Sequence, residues 1–214
     1  MTKIKLCGLS RPCDIEAANA LMPDYIGFVF ARRSSRYVTP EAAAELRRLL
    51  NLGIKAVGVF VNEPPENIAA LLAAGTIDVA QLHGSEDEAY IRRLRSLTNK
   101  PLIQAFRIDD EADIRQANRS TADFILLDSG SGGTGTAFDW LLLQGIDRPY
   151  FLAGGLGPDN VCEAVSCLHP YGVDVSSGIE TNRQKDTAKM AAFVAAVRMS
   201  KSQGLSHSNS PSAD

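Results

Sequence analysis

The sequence is poor in the residues that build metal centres, membrane spans and nucleic-acid surfaces. Its 3 histidines, His83, His169 and His207, are too scattered to share an ion, so no metal is expected. Its 4 cysteines, Cys7, Cys13, Cys162 and Cys167, form no CxxC pair and no Cys/His zinc spacing. No apolar run approaches the roughly 20 residues that span a bilayer, and no basic-then-apolar leader opens the sequence. The expectation is a cytoplasmic protein with free thiols and no membrane partner. Net charge is −3, with acids and bases mixed along the chain and no basic stripe. Nucleic-acid binding is therefore not expected. A small anion remains welcome, because a few local donors hold a phosphate even on an acidic protein. No Walker A or GxGxxG pattern follows the first strand, and no lysine ends a strand where a Schiff base would form. Cofactor-free acid–base chemistry on a phosphorylated small molecule is what remains.

What the chain does have is alternation. Short β-branched runs are predicted over Lys3–Cys7, Tyr25–Phe30, Lys55–Val61, Asp78–Leu82, Leu102–Phe106, Phe124–Leu127, Tyr150–Ala153 and Gly172–Val175. Their ends recur about every 24 residues, the pitch of a strand plus a crossover helix. Tyr25–Phe30 is apolar on both faces, as parallel strands covered by helices are. Between the runs lie helical patterns at Pro40–Leu50 behind a Thr39 cap, Pro64–Ala74, Glu86–Leu97 behind a Ser85 cap, Asp159–Leu168 and Asp186–Met199. The sixth unit offers only a short one, Phe138–Gln144. Strict alternation fits either an open doubly wound sheet or a closed barrel. With no run reading plainly as a half-polar edge, the expected fold is α/β: a single (β/α)8 TIM barrel over residues 1–200. The Ser-rich segment 201–214 is expected to be a disordered tail.

In such barrels the reactive groups sit at the C-terminal ends of the strands. The strand ends here carry Cys7, Gln81, His83, Arg107, Asp128 and Asp174, with Arg36 in the loop after the second strand. Gly154-Gly155 and Ser176-Ser177-Gly178 follow the seventh and eighth strands, where barrels often bind phosphate on unobstructed amides beside a short helix. The alternative is that these glycines merely permit tight turns. Asp128 stands between a buried strand and the loop Ser129–Gly135, which reads as a lid. A partly desolvated carboxylate there suits a general acid; the bland alternative is a turn aspartate. Cys7 reads equally as a small buried hydrophobe or as a reactive thiol. Arg36 is either a fork for a carboxylate or phosphate, or part of an exposed basic loop.

At these residues the chain resembles the phosphoribosylanthranilate isomerase family. The resemblance is carried by KIKLCGLS (Lys3–Ser10), GFVF (Gly27–Phe30), Ser35-Arg36, VGVFV (Val57–Val61), QLHG (Gln81–Gly84), Asp128 with GGTGTAFDW (Gly132–Trp140), LAGGL (Leu152–Leu156) and GVDVSSGIE (Gly172–Glu180), with Lys185-Asp186. It covers about residues 3–199. It implies an Amadori rearrangement of N-(5-phosphoribosyl)anthranilate in tryptophan biosynthesis. Asp128 would be general acid and Cys7, as thiolate, general base. Arg36 would hold the anthranilate carboxylate, Asp174 a ribose hydroxyl, and Gly154, Gly155, Ser176, Ser177 and Gly178 the phosphate. Ser35 departs from the proline usual in the family, which could loosen the Arg36 loop. A related aminoaldose isomerase resembles a pattern with aspartate where Cys7 stands. A silent phosphometabolite-binding barrel would need neither Cys7 nor Asp128. Monomer and homodimer both remain open.

Overall fold

A computed structural model of the chain describes residues 1–128, 140 and 142–200. Eight parallel strands close into a barrel in sequence order. They are β1 (Lys3–Cys7), β2 (Tyr25–Val29), β3 (Lys55–Phe60), β4 (Val79–Leu82), β5 (Leu102–Arg107), β6 (Phe124–Asp128), β7 (Tyr150–Ala153) and β8 (Gly172–Val175). The ring closes where β8 returns beside β1, pairing Lys3 with Gly172 and Lys5 with Asp174. Helices α1 (Pro12–Leu21), α2 (Pro40–Leu49), α3 (Pro65–Ala73), α4 (Glu88–Arg95), α5 (Glu111–Arg119), α6 (Val161–Leu168) and α7 (Thr187–Met199) connect the strands outside the ring. After β6 stands a 3-10 turn, Leu142–Gly145. Between β8 and α7 lies a small hairpin, β9 (Glu180–Thr181) and β10 (Gln184–Lys185).

Strand period decides what faces where. Outward residues such as Ile4, Leu6, Ile125, Leu127, Val173 and Val175 join the strand–helix core. Inward residues fill the ring in layers: Tyr25, Val57, Val79, Ile103, Leu126, Phe151 and Ala153 lower down, then Cys7, Val29 and Val59 nearer the mouth. The same alternation points Lys5, Gln81, Asp128 and Asp174 inward. Two rings of packed side chains thus form the floor beneath whatever binds at the mouth.

Four expected helix starts need correction. Helix α4 begins at Glu88 behind an Asp87 cap, not at Glu86 behind Ser85. Ser85 is held elsewhere, its amide and hydroxyl both donating to Asn62 Oδ1 at 2.9 and 3.1 Å. Glu86 is buried, accepting from the Asn62 and Gly84 amides at 2.7 Å each, and so fixes a loop. Helix α3 starts at Pro65, with Pro64 as its cap position. Helix α6 starts at Val161, because Asn160 closes the preceding turn between Gly157 N and Gly155 O. Asp186 is the cap of α7, accepting from the Ala188 and Lys189 amides at 2.9 and 3.1 Å. Thr39 caps α2 as expected. Strands end within a residue of their expected limits, β6 reaching Asp128 itself. Of the expected short helix at 138–144, the described residues show the 3-10 turn; Phe138, Asp139 and Leu141 lie outside the described residues, as do the expected lid, 129–135, and the tail, 201–214.

Candidate active site

The strand ends open onto one cavity of about 730 Å³ at the barrel mouth. Cys7, Asp128, Asp174 and Arg36 all line it, with Gly154 and Gly155 from the seventh loop and Ser176 and Ser177 from the eighth. Gln81, His83 and Arg107 complete the wall on the β4–β5 side. The scattered strand-end residues therefore share one chamber. The exception is Gly178, which stands behind the wall. A Cβ added there would lie 2.0 Å from Leu156 O, so this glycine lets the seventh and eighth loops touch. We expect Gly178→Ala to push the two loops apart, costing about 1–3 kcal/mol of stability and raising KM for a phosphorylated substrate. An unchanged melting temperature and KM would sink that reading.

Cys7 and Asp128 face each other. In the ring, β1 and β6 are separated by β7 and β8 on one side and by four strands on the other. The Cys7 thiol is buried, and it fits only because its β2 register partner is Gly27. A Cβ at Gly27 would meet Cys7 Sγ at 2.6 Å. Burial holds the thiol above its ordinary value, although the nearby Lys5 ammonium pulls it part of the way back. Asp128 is more open, its side chain 33% exposed, with His83 Nε2 3.7 Å from its Oδ2. His83 Nδ1 lies 2.8 Å from Gln81 Nε2. That contact fixes the ring with Nε2 turned to Asp128. Gln81 and His83, which had no assigned role, thus form a buttress behind the candidate acid.

Arg36 is not an idle exposed cation. Its Nε and Nη2 donate to the two oxygens of Glu180 at 2.6 and 2.8 Å, a forked pair. Glu180 also accepts from Lys185 Nζ at 2.6 Å, and Lys185 donates to Ser176 O at 2.9 Å. The hairpin after β8 is thereby tied to the loop after β2. A substrate carboxylate reaching Arg36 would share its fork with Glu180 or displace it. The loop itself is held despite Ser35, since Ser34 Oγ accepts from the Arg36 amide at 3.1 Å. Neither Glu180 nor Lys185 was picked out individually from the sequence, although both fall in the matching motifs; the signal was an acid and a base five apart beyond the eighth strand.

Burial raises Glu180, but the ion pairs with Arg36 and Lys185 win and hold it below its ordinary 4.5. Its folded value is thus depressed, so its contribution to stability is complete above the unfolded value and lost as pH falls through the folded one. From about pH 5 downward, melting curves of Glu180→Gln should lose less stability per pH unit than those of the parent. Parallel curves would count against the pairing.

Asp174 lines the cavity but is already engaged, accepting from Lys5 Nζ at 2.9 Å through Oδ1. Ser177 begins a 3-10 turn, Ser177–Ile179, the short helix expected there. The remaining thiols stand apart: Cys13 lies on α1 and Cys162 and Cys167 on α6.

A family model described as N-(5'phosphoribosyl)anthranilate (PRA) isomerase matches residues 4–196. The N-(5'-phosphoribosyl)anthranilate isomerase of Endomicrobium trichonymphae is 46% identical over 202 residues, which cover 92% of this chain and 99% of the relative. That of Thermoanaerobacter sp. strain X514 is 44% identical over 204 residues, covering 92% and 98%. The crystal structure of phosphoribosyl anthranilate isomerase from Thermotoga maritima aligns with a TM-score of 0.84 at 34% identity, covering 92% of this chain and 99% of that one. Another solved phosphoribosyl anthranilate isomerase, bound to reduced 1-(o-carboxyphenylamino)-1-deoxyribulose 5-phosphate, aligns with a TM-score of 0.81 at 32% identity and the same coverage. Similarity of this extent, running from the first strand to the last helix and through the residues of one chamber, leaves one assignment: the chain belongs to the N-(5'-phosphoribosyl)anthranilate isomerase family.

Proposed function

We propose that this chain catalyses the Amadori rearrangement of N-(5'-phosphoribosyl)anthranilate to 1-(2-carboxyphenylamino)-1-deoxyribulose 5-phosphate, a step of tryptophan biosynthesis, with Asp128 as acid and Cys7 as base. The observation that carries it is one cavity flanked from facing walls by a buried thiol and a half-open carboxylic acid. The chemistry needs that opposition. Asp128 gives its proton to the ribose ring oxygen, the C1′–O bond breaks, and the nitrogen lone pair forms an iminium. Cys7, as thiolate, takes the C2′ proton, and the C–H electron pair moves into a C1′–C2′ double bond, neutralising the iminium. The enolamine then tautomerises to the ketone. The iminium is a strong electron sink, so a base of sulfur's modest strength suffices.

Binding groups surround that axis. Arg36 offers its fork to the anthranilate carboxylate, and Asp174 accepts from a ribose hydroxyl. The phosphate goes to the amides of Gly154 and Gly155 with those of Ser176 and Ser177, Gly178 holding the two loops together. A solved relative holds a compound carrying the same carboxylate, amine and phosphate groups, which supports a ligand of this chemical class. A Thermotoga maritima relative is described as dimeric, so we carry a monomer or homodimer into the proposal. No described helix is long and apolar enough to cross a membrane, in keeping with a cytoplasmic enzyme. The test is loss of substrate fluorescence with purified protein, with and without chelator. Turnover in both samples supports a metal-free isomerase; none in either removes the reading.

A further inference from the structure

Lys5 is fully buried, with 0% of its surface exposed, and nothing in the chemistry above uses it. It stands two residues before Cys7 on β1 and so shares its inward face. Its Nζ lies 2.9 Å from Asp174 Oδ1, across the seam where β1 and β8 pair these two residues in register. Its ammonium and the Cys7 thiol, two residues apart on that face, interact electrostatically. Burying an ammonium this deeply is a poor way to hold a barrel together, since apolar side chains of similar volume do so at no desolvation cost. Buried charges in a functional chamber are more often there for the chemistry.

Cys7 has the complementary difficulty. Its neighbours near the mouth are Val29 and Val59, which solvate no anion. The charged groups facing it are Lys5 on its own strand, Asp174 on β8, Lys185 on β10 and Arg36 from the loop after β2. Burial and Asp174 oppose the thiolate; Lys5 and Lys185 favour it. Lys185, however, already donates to Glu180 and Ser176. Lys5 gives one of its three hydrogens to Asp174 and, on the sulfur's own strand and face, has others to offer.

We propose that Lys5 is a positioning residue for the base: its ammonium, fixed by Asp174, favours the Cys7 thiolate against the burial that opposes it and keeps the sulfur aimed into the chamber. This rests on the isomerase reading and deepens it. The C2′ proton passes to sulfur, and Lys5 remains an ammonium throughout, neither giving nor taking a proton. Asp174 then has two tasks, since its carboxylate both anchors the ammonium and opposes the thiolate.

The test is titration of Cys7 by its ultraviolet thiolate absorbance in a Cys13→Ser/Cys162→Ser/Cys167→Ser background, where Cys7 is the sole thiol. Lys5→Met should move the midpoint upward by about one pH unit or more, a tenfold loss of thiolate at a given pH. Its kcat should fall likewise near neutrality and recover as the pH rises, with KM little changed. Asp174→Asn should move the midpoint the other way. Simple loosening of the core would admit water and lower the midpoint in both variants, so the opposite signs separate the two explanations. An unchanged or lowered midpoint in folded Lys5→Met, or a raised one in Asp174→Asn, overturns the proposal; if Lys5→Met does not fold, Lys5→Gln, which keeps a polar side chain at the seam, is titrated in its place with the same upward shift expected. The titration needs no substrate. A parent protein without turnover would remove the isomerase reading, whereas full parental turnover with an unshifted Lys5→Met midpoint would remove only the role of Lys5.

Discussion

Asp128→Asn should lose about 10²–10⁴-fold in kcat while KM stays within a few-fold of the parent, the span expected when a general acid is removed. The substitution is nearly isosteric, and the residue is at the open end of β6 with its side chain one-third exposed, so the barrel has little to lose. Asparagine keeps the size of the carboxylate beside His83 but has no acidic proton for the ring oxygen. Ring opening then depends on water, and the leaving oxygen departs without a proton. Binding is unaffected because carboxylate, hydroxyl and phosphate are held elsewhere in the chamber. Stopped-flow binding and steady-state turnover on the same preparation separate the two effects. Full turnover in Asp128→Asn would remove the proposed acid.

Alkylation of Cys7 should reduce activity to below about one per cent, matching loss of a base worth 10²-fold or more. The experiment must be read residue by residue, because Cys13 and Cys167 are exposed and will react first, whereas Cys7 is buried. Mass spectrometry should show activity surviving modification of the exposed thiols and disappearing with that of Cys7. The reduced carboxyphenylamino-deoxyribulose phosphate should shield Cys7 alone. Inactivation that follows Cys13 or Cys162 instead would count against the base. Cys7→Ala completes the comparison: its side chain is smaller than the thiol and meets nothing new at Gly27, so any loss of turnover belongs to chemistry and not to packing.

The barrel was legible because its signal is repeated. Each strand carries enough β-branched and aromatic residues to mark itself, and the covered helices are punctuated by proline or acidic caps such as Thr39-Pro40 and Asp186. Asp128 was legible as well, standing at the junction of an apolar strand and a glycine loop. Helix starts failed where a side chain was claimed by a distant partner, as Ser85 is by Asn62, a contact invisible to local pattern. Helices α1 and α5 went unlocated, although α5 opens on an Asp110 capping box. The interior ion pairs were hidden for a different reason. Lys3-Ile4-Lys5-Leu6-Cys7 alternates, and two lysines on one face look like a solvent face. In a closed ring that face is the inside, and only the register of β8 supplies the aspartate that makes Lys5 tolerable there. Arg36 with Glu180, 144 residues apart, was beyond reach for the same reason.

The seam between β1 and β8 also has a consequence for synthesis. Lys5 and Asp174 are separated by 169 residues, and the Arg36 fork waits 144 residues for Glu180. A chain emerging from the ribosome therefore carries its first strand, thiol included, with no neighbour on one side until almost everything else has been made. The entropic charge for that late closure is small, since it grows only with the logarithm of the loop. The exposure is chemical instead: a nascent chain halted before its eighth strand presents Cys7 openly to oxidants and electrophiles that reach it only through the mouth of the finished barrel.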